Sequence, residues 1–261
     1  MTRSPRSFIL ALTALTVAAC FHTAGAAPIV EKPAPGAFPH ALLSQVLGKY
    51  VNEEGKVDYK SLAGDRATLD AYLGFVAATS PKQDPSLFPT RQDQEAYWLN
   101  AYNGLAIRGV IDRPGIKSVQ DNLADFFYLT KYVMGGKKVS LYTLENKVVR
   151  PTFSDPRVHF ALNCQSAGCP RLPQAAYDPK TLEAELDGYA REFCTTPAKV
   201  YVDAAGTVHM SQIFEWYAKD FVAAGGQVAF CNAHGASLPV GGKLEFIPYD
   251  WALSAQEGRG P

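Results

Sequence analysis

The chain has no surplus of charge of either sign. Lys plus Arg equals Asp plus Glu at 25 each, which gives no global basic character for binding nucleic acid. Several familiar catalytic signatures are missing as well. There is no Walker loop, no H-E-x-x-H, no G-x-S-x-G and no G-x-G-x-x-G, so nucleotide cradles, zincin-type metal helices and the nucleophile elbow are not expected. No internal repeat is visible, and beyond the first 27 residues no run is long and apolar enough to span a bilayer. Cysteine is scarce at 5 residues. The close pair Cys164 and Cys169 lacks the second close-spaced pair of a usual zinc site. Neither a metal nor a cofactor is therefore expected.

What is present begins with an export signal. Arg3 and Arg6 form a basic head, Phe8 to Cys20 is apolar and uncharged, and Ala24-Gly25-Ala26 offers a small-x-small cleavage site. Residues 1–26 thus read as a signal peptide, and the protein is expected to be periplasmic or secreted. Val17-Ala18-Ala19-Cys20 also has the form of a lipobox, so a lipid anchor at Cys20 stands as the alternative and the one expected membrane attachment. A Pro/Ala-rich leader over residues 27–40 follows. Residues 41–254 read as one globular domain, with a disordered tail over 255–261. With 47% hydrophobic residues, 14 Phe, 13 Tyr and 3 Trp, core material is ample.

Helical spacing of apolar residues marks His40 to Tyr50, about Arg66 to Ala78, and Pro179 to Phe193. The segment from about Arg91 to Ile111 is apolar around most of its circumference, which predicts a central, buried helix. Asn100 and Asn103 interrupt that wall. Trp98 and Trp216 are both read as core. Leu141 to Val149 is expected to be a short helix stopped by Pro151, and Val158 to Leu162 a buried strand. Glycine turns predict hairpins at 131–141 and 200–210. Helices early and strands late, without βαβ alternation, make an α+β fold: a central buried helix on a mostly antiparallel sheet.

Chemistry concentrates in His159-Phe160-Ala161-Leu162-Asn163-Cys164-Gln165-Ser166-Ala167-Gly168-Cys169-Pro170. Cys164 or Cys169 could serve as a nucleophile if an adjacent imidazole lowers its pKa by forming an ion pair. His159 is the nearest base, although residues five apart on a continuous strand face opposite sides. The chain would have to turn at Asn163, or His209 or His234 would have to take its place. Asn100 or Asn103 would orient the imidazole or donate to an oxyanion. The bland reading of the same residues is a structural Cys164–Cys169 disulfide, with Cys194 and Cys231 as a second bridge or buried thiols.

Tyr97-Trp98-Leu99-Asn100-Ala101-Tyr102-Asn103 and the segment Asp155 to Cys164, followed by Ser166, Cys169 and Pro170, resemble the two signatures of the domain-of-unknown-function family numbered 547. Leu144-Glu145 through Arg150-Pro151, Ser211 to Phe221, and Pro248-Tyr249-Asp250-Trp251 resemble its remaining elements. The resemblance spans roughly Ala41 to Ser254. It implies a site built from Asn100, Asn103, Glu145, Arg150, His159, Cys164 and Cys169, with Asn163 and Ser166 lying in the same motif, and it supplies no reaction. A core helix followed by a sheet is similar to papain-like and transglutaminase-like folds, but the order here differs, because the cysteines follow the histidine. Two functions are therefore expected as alternatives. One is a thiol-dependent hydrolase or acyl transferase acting on a peptide-like or amide small molecule. In it Cys164 is the nucleophile, His159 the base, and Asn100 or Asn103 the orienting group. The other is a non-catalytic envelope module that binds a protein or cell-wall ligand. Thiol–disulfide exchange is a third reading, although the spacing is not Cys-x-x-Cys.

Overall fold

The computed structural model describes residues 33–261. The signal peptide, the cleavage site and Cys20 lie outside the described residues. Helix α1 (His40–Tyr50) buries Leu43, Val46, Leu47 and Tyr50, and α3 (Ala67–Ala78) buries Leu69, Tyr72, Leu73 and Val76. Both stripes follow the helical repeat, so each helix can cover one side of a core. The short α2 (Tyr59–Gly64) lies between them, capped by the Asp58 carboxylate, which accepts from the Ser61 N–H.

Helix α4 (Arg91–Ile111) begins with a reciprocal capping box between Thr90 and Asp93. From Glu95 to Ile111 only Arg108 escapes burial. This is the central helix expected from its composition, and its neighbours are helices rather than a sheet: α1, α2, α3 and two more introduced below. The leader is not wholly apart from this core. Phe38 is buried, with its ring 5.0 Å from that of Tyr97.

A hairpin follows, β1 (Tyr132–Met134) against β2 (Lys137–Val139), turned by Gly135 and Gly136 at φ 51° and 74°. Two successive positive φ values are what a tight hairpin turn demands and what glycine supplies. Next comes α5 (Leu141–Leu144), a π turn over Glu145–Val149, and α6 (Arg150–Phe153), which ends at Ser154 in the left-handed region. Pro151 therefore does not stop the helix. It is the second residue of α6, which continues directly from the π turn and runs on to Phe153.

The expected strand at Val158 to Leu162 is instead a 3-10 turn over Pro156–Phe160. Asp155 caps it by accepting from the Arg157 N–H, and Pro156 stands at the first position. The Asp-Pro pair is a helix-start signal that outweighs the β-like run after it. Helix α7 (Leu182–Thr195) packs on this turn. A three-stranded sheet follows, order β3-β4-β5. Strand β3 (Val200–Val202) is antiparallel to β4 (Val208–Ser211), and β4 is parallel to β5 (Leu244–Ile247). Helices α8 (Gln212–Trp216) and α9 (Gln227–Ala233) complete an α+β fold.

The apolar interior forms two clusters. One surrounds α4; the other joins α7, α8, α9 and the sheet through Phe160, Phe193, Phe214, Phe221 and Phe230. The residues after β5 run back across both and are not a loose tail. Gln256 N–H donates to Val57 O, Lys60 N–H to Arg259 O and Gly115 N–H to Pro261 O, so residues 255–261 lie against the body. Backbone pairing with the α4 half has overridden their polar composition.

One buried charge stands out in α4. The Glu95 side chain is 1% exposed, its nearest cation is Arg91 at 3.6 Å, and neither carboxyl oxygen has a hydrogen-bond partner. Burial lifts its pKa from 4.5 to about 7, against the pull of Arg91. The folded value lies above the unfolded one, so the protonated acid favours folding. That contribution is complete below about pH 4.5 and is lost as pH rises through about 7. Glu95→Gln is expected to stabilise the protein at about pH 8 by up to about 3 kcal/mol and to leave it unchanged at about pH 4. Thermal melts across this range would check it, and a variant equally stabilised at both ends would contradict it.

Candidate active site

A cavity of about 310 Å³ lies between the two clusters and is lined by Tyr102 of α4, Glu145, Asn146 and Arg150 of the π turn and its flanks, His159, Cys164, Cys169, and the aromatic residues Trp216, Tyr217, Tyr249 and Trp251. A π turn adds one residue to a helical turn and commonly marks functional positions. Here it begins at Glu145 and ends just before Arg150.

The thiol loop is held from three directions. Asn103 donates to Ala161 O at 2.9 Å and accepts from the Asn163 N–H at 2.8 Å. Asn163 accepts from the Gln165 N–H at 2.8 Å and donates to Pro170 O at 2.6 Å. Gln165 is bent into positive φ (73°) and accepts from the Tyr59 hydroxyl at 2.7 Å. From the C-terminal segment, Ala252 O and Asp250 O accept from the N–H groups of Ala167 and Gly168. A Cβ on Gly168 would stand 2.6 Å from the Tyr249 ring. Only glycine lets that ring close over the sulfurs.

All four cysteines among the described residues are free thiols. Cys164 and Cys169 have their sulfurs 2.7 Å apart, and Cys194 and Cys231 2.8 Å, against about 2.05 Å for a disulfide bond. Neither expected bridge is formed here. Cys164 is half-buried and Cys169 buried. Burial pushes the Cys169 thiol up, but hydrogen bonds from Cys164, Ser166 and Tyr249 outweigh it and bring its pKa to about 6. The geometry gives the same direction: Cys164 N–H and the Tyr249 hydroxyl both donate to Cys169 Sγ, at 3.0 and 3.1 Å. The proximity of Cys169 and burial push the Cys164 thiol up. The donors therefore favour the negative charge on Cys169 and the proton on Cys164. Ser166 Oγ lies 3.0 Å from Cys164 Sγ and 2.8 Å from Tyr249 Oη, tying the group together.

His159 lines the same cavity. Its Nε2 meets Asp220 Oδ2 at 2.7 Å, and its ring stacks on Tyr217 at 3.9 Å. Among the described residues no hydrogen bond joins this imidazole to a thiol, so the structure does not place it as the immediate base. His209 pairs with Asp203 at 3.0 Å, and His234 Nδ1 lies 2.8 Å from Phe230 O; neither lines the cavity. Asp220 also takes Nε and Nη2 of Arg150, at 2.7 and 3.0 Å. With a histidine and a guanidinium donating to it, its carboxyl is held far below the usual range.

The two asparagines take other positions than expected. Asn100 donates to Tyr177 O and accepts from Tyr177 N–H, both at 2.9 Å, with His40 Nδ1 at 3.0 Å. It lies away from the cavity. The Asn103 oxygen and one of its amide N–H donors hold loop backbone, and neither asparagine lines the cavity. Asn163 likewise shapes the loop. Trp216, expected in the core, is 44% exposed and forms cavity wall. Asp220, Tyr217, Tyr249 and Trp251 were not singled out as site residues, although all four fall inside motifs that carry the family resemblance. No spacing rule could have joined them to Cys169.

Residues 87–194 match the family model described as Protein of unknown function, DUF547. No curated protein and no solved structure matches the chain.

Proposed function

Taking as premise that the chain carries a DUF547 domain over residues 87–194, we propose that it is an exported, thiol-dependent acyl-transfer enzyme, a hydrolase or transferase of peptide-like amides. The observation that carries this reading is the stabilised sulfur at the cavity wall. Cys169 receives donors from Cys164 and Tyr249 and is brought to about 6, so it is a thiolate near neutrality. The nucleophile is thus Cys169 rather than Cys164. Its Sγ attacks the ligand carbonyl. As the C–N bond breaks, the leaving amine takes the proton of Cys164, whose sulfur is 2.7 Å from that of Cys169. Water then cleaves the thioester, giving its proton to Cys164 and releasing Cys169 as thiolate. His159, fixed by Asp220 and Tyr217, shapes the wall of the chamber.

The test is trapping of the acyl-enzyme. The protein is mixed with N-acetylglycine benzyl thioester, quenched in acid and digested. One acyl adduct is expected on the peptide holding Cys164 and Cys169, and none in Cys169→Ser. No adduct in the unaltered protein, or an equal one in Cys169→Ser, would sink the assignment. The sulfur contact favours one second reading, thiol–disulfide exchange. In it Cys164 and Cys169 give two electrons and the Cys164 proton to a disulfide co-substrate, which leaves as one thiol and one thiolate. Rapid oxidation of this pair by oxidised glutathione, without any acyl adduct, would select it.

A further inference from the structure

The cavity lining holds one carboxylate, Glu145, and one guanidinium, Arg150, which is already paired with Asp220. Glu145 is 9% exposed; its Oε1 accepts from the Tyr217 hydroxyl at 2.5 Å and its Oε2 from the Tyr102 hydroxyl at 3.3 Å. A carboxylate has about four lone-pair sites, so the two hydroxyls leave about half of them open in a group that lines the cavity. No ion pair reaches Glu145 among the described residues. Arg150 lines the same space, but three of its five N–H donors and one face of its guanidinium are engaged. Nε and Nη2 are taken by Asp220, Nη1 by Asn146 at 2.5 Å, and its face lies 4.7 Å over the Tyr217 ring. An anionic ligand would compete there with the bidentate Asp220 carboxylate that already balances its charge.

The surrounding walls are aromatic. Trp216 lies 5.7 Å from Trp251 and 4.9 Å from Tyr249, ring centre to ring centre. Tyr128 and Tyr142 stack on each other at 4.5 Å and are 43% and 37% exposed. Aromatic faces around an acidic group attract a cation that has left water. An aliphatic stem finds apolar surface against the same rings.

Resting on the reading of this cavity as the acyl-transfer chamber, we propose that it selects a ligand bearing a primary ammonium on an alkyl stem, such as a lysine side chain. The ammonium donates to the open lone pairs of Glu145, and the stem lies along the aromatic walls. A quaternary ammonium has no N–H for those lone pairs, and a carboxylate would meet Glu145 and the Cys169 sulfur, both of its own sign. The volume of about 310 Å³ is at the small end of ligand sites and fits one side chain with its amide.

Isothermal titration calorimetry with two probes tests this. Nα-acetyl-lysine amide is compared with Nα-acetyl-norleucine amide, which keeps the stem and lacks the charge. The lysine amide is expected to bind at least tenfold more tightly, and Glu145→Gln to remove that advantage. Equal binding of the two probes, no binding of either, or an advantage surviving in Glu145→Gln overturns the proposal. If Glu145→Gln melts early, Trp216→Leu provides the second variant, because its exposed ring leaves the core intact. It is expected to weaken the lysine amide at least fivefold, and unchanged affinity counts against the proposal. The two readings fail separately. A lysine preference without an acyl adduct sinks acyl transfer alone, and an acyl adduct without a lysine preference sinks amine selection alone.

Discussion

Alkylation by iodoacetamide at the Cys164–Cys169 peptide is expected to rise with pH through an inflection near 6, about the value to which Cys169 is brought. A thiolate reacts and a thiol does not, so the rate follows deprotonation. Burial alone would move a cysteine the other way. The donors overcome it: Cys164 N–H at 3.0 Å, Tyr249 hydroxyl at 3.1 Å, and the Cys164 thiol at 2.7 Å. Removing one of them gives the size of the effect. A hydrogen bond to a charged group contributes about 1.5–3 kcal/mol, and about 1.4 kcal/mol moves a pKa by one. Tyr249→Phe should therefore carry the inflection up by about one to two pH units and slow alkylation at about pH 6 by about fivefold to fiftyfold. Cys169→Ser should abolish the acidic inflection, leaving Cys164 without its charged neighbour. Rates read by peptide mass decide it. An inflection near that of an ordinary thiol in the unaltered protein would remove the basis of the proposed chemistry.

Asn103→Ala is expected to cost about 3 kcal/mol and lower the melting temperature by about 6–12 °C. The truncation deprives Asn163 N–H of its acceptor and Ala161 O of its 2.9 Å donor, and both residues are buried. Each group left unsatisfied carries a penalty of about 1–3 kcal/mol. Asn163 in turn holds Gln165 and Pro170, the two ends of the thiol loop, so the change should also slow the alkylation described above. Asn100→Ala gives the contrast. It frees the Tyr177 backbone and His40, so a fall in melting temperature is expected with the alkylation profile unchanged. His40 has a further signature. Burial lowers its pKa from 6.5 to about 4 despite nearby Asp178 and Asp93. The neutral ring therefore contributes stability above about pH 6.5 that is lost as pH falls toward about 4. If both asparagine variants altered thiol reactivity equally, the separate roles assigned to them would not stand.

The likeness to DUF547 over residues 87–194 and most of the helical frame were legible in the residues. The stripes of α1 and α3 and the nearly continuous apolar surface of α4 each state a local burial pattern, and local patterns are what periodicity records. The glycine turn at Gly135-Gly136 was legible for the same reason. The segment at Val158 to Leu162 was misread because a β-like run was weighed without the Asp-Pro cap that starts a 3-10 turn. That correction removes the strand geometry that set His159 and Cys164 on opposite faces.

The sequence by itself determined the α+β class, the central helix, and the short stretch holding both cysteines, because each depends on neighbours a few residues apart. Only the tertiary structure decided which groups act together. Cys169 meets Tyr249 across 80 residues, His159 meets Asp220 across 61, and Glu145 meets Tyr217 across 72. The choice of Cys169 over Cys164 as thiolate, and the placement of Asn100 outside the cavity, rest on the directions of individual hydrogen bonds. Those directions are fixed when the C-terminal segment closes over the thiol loop, and no spacing along the chain encodes them.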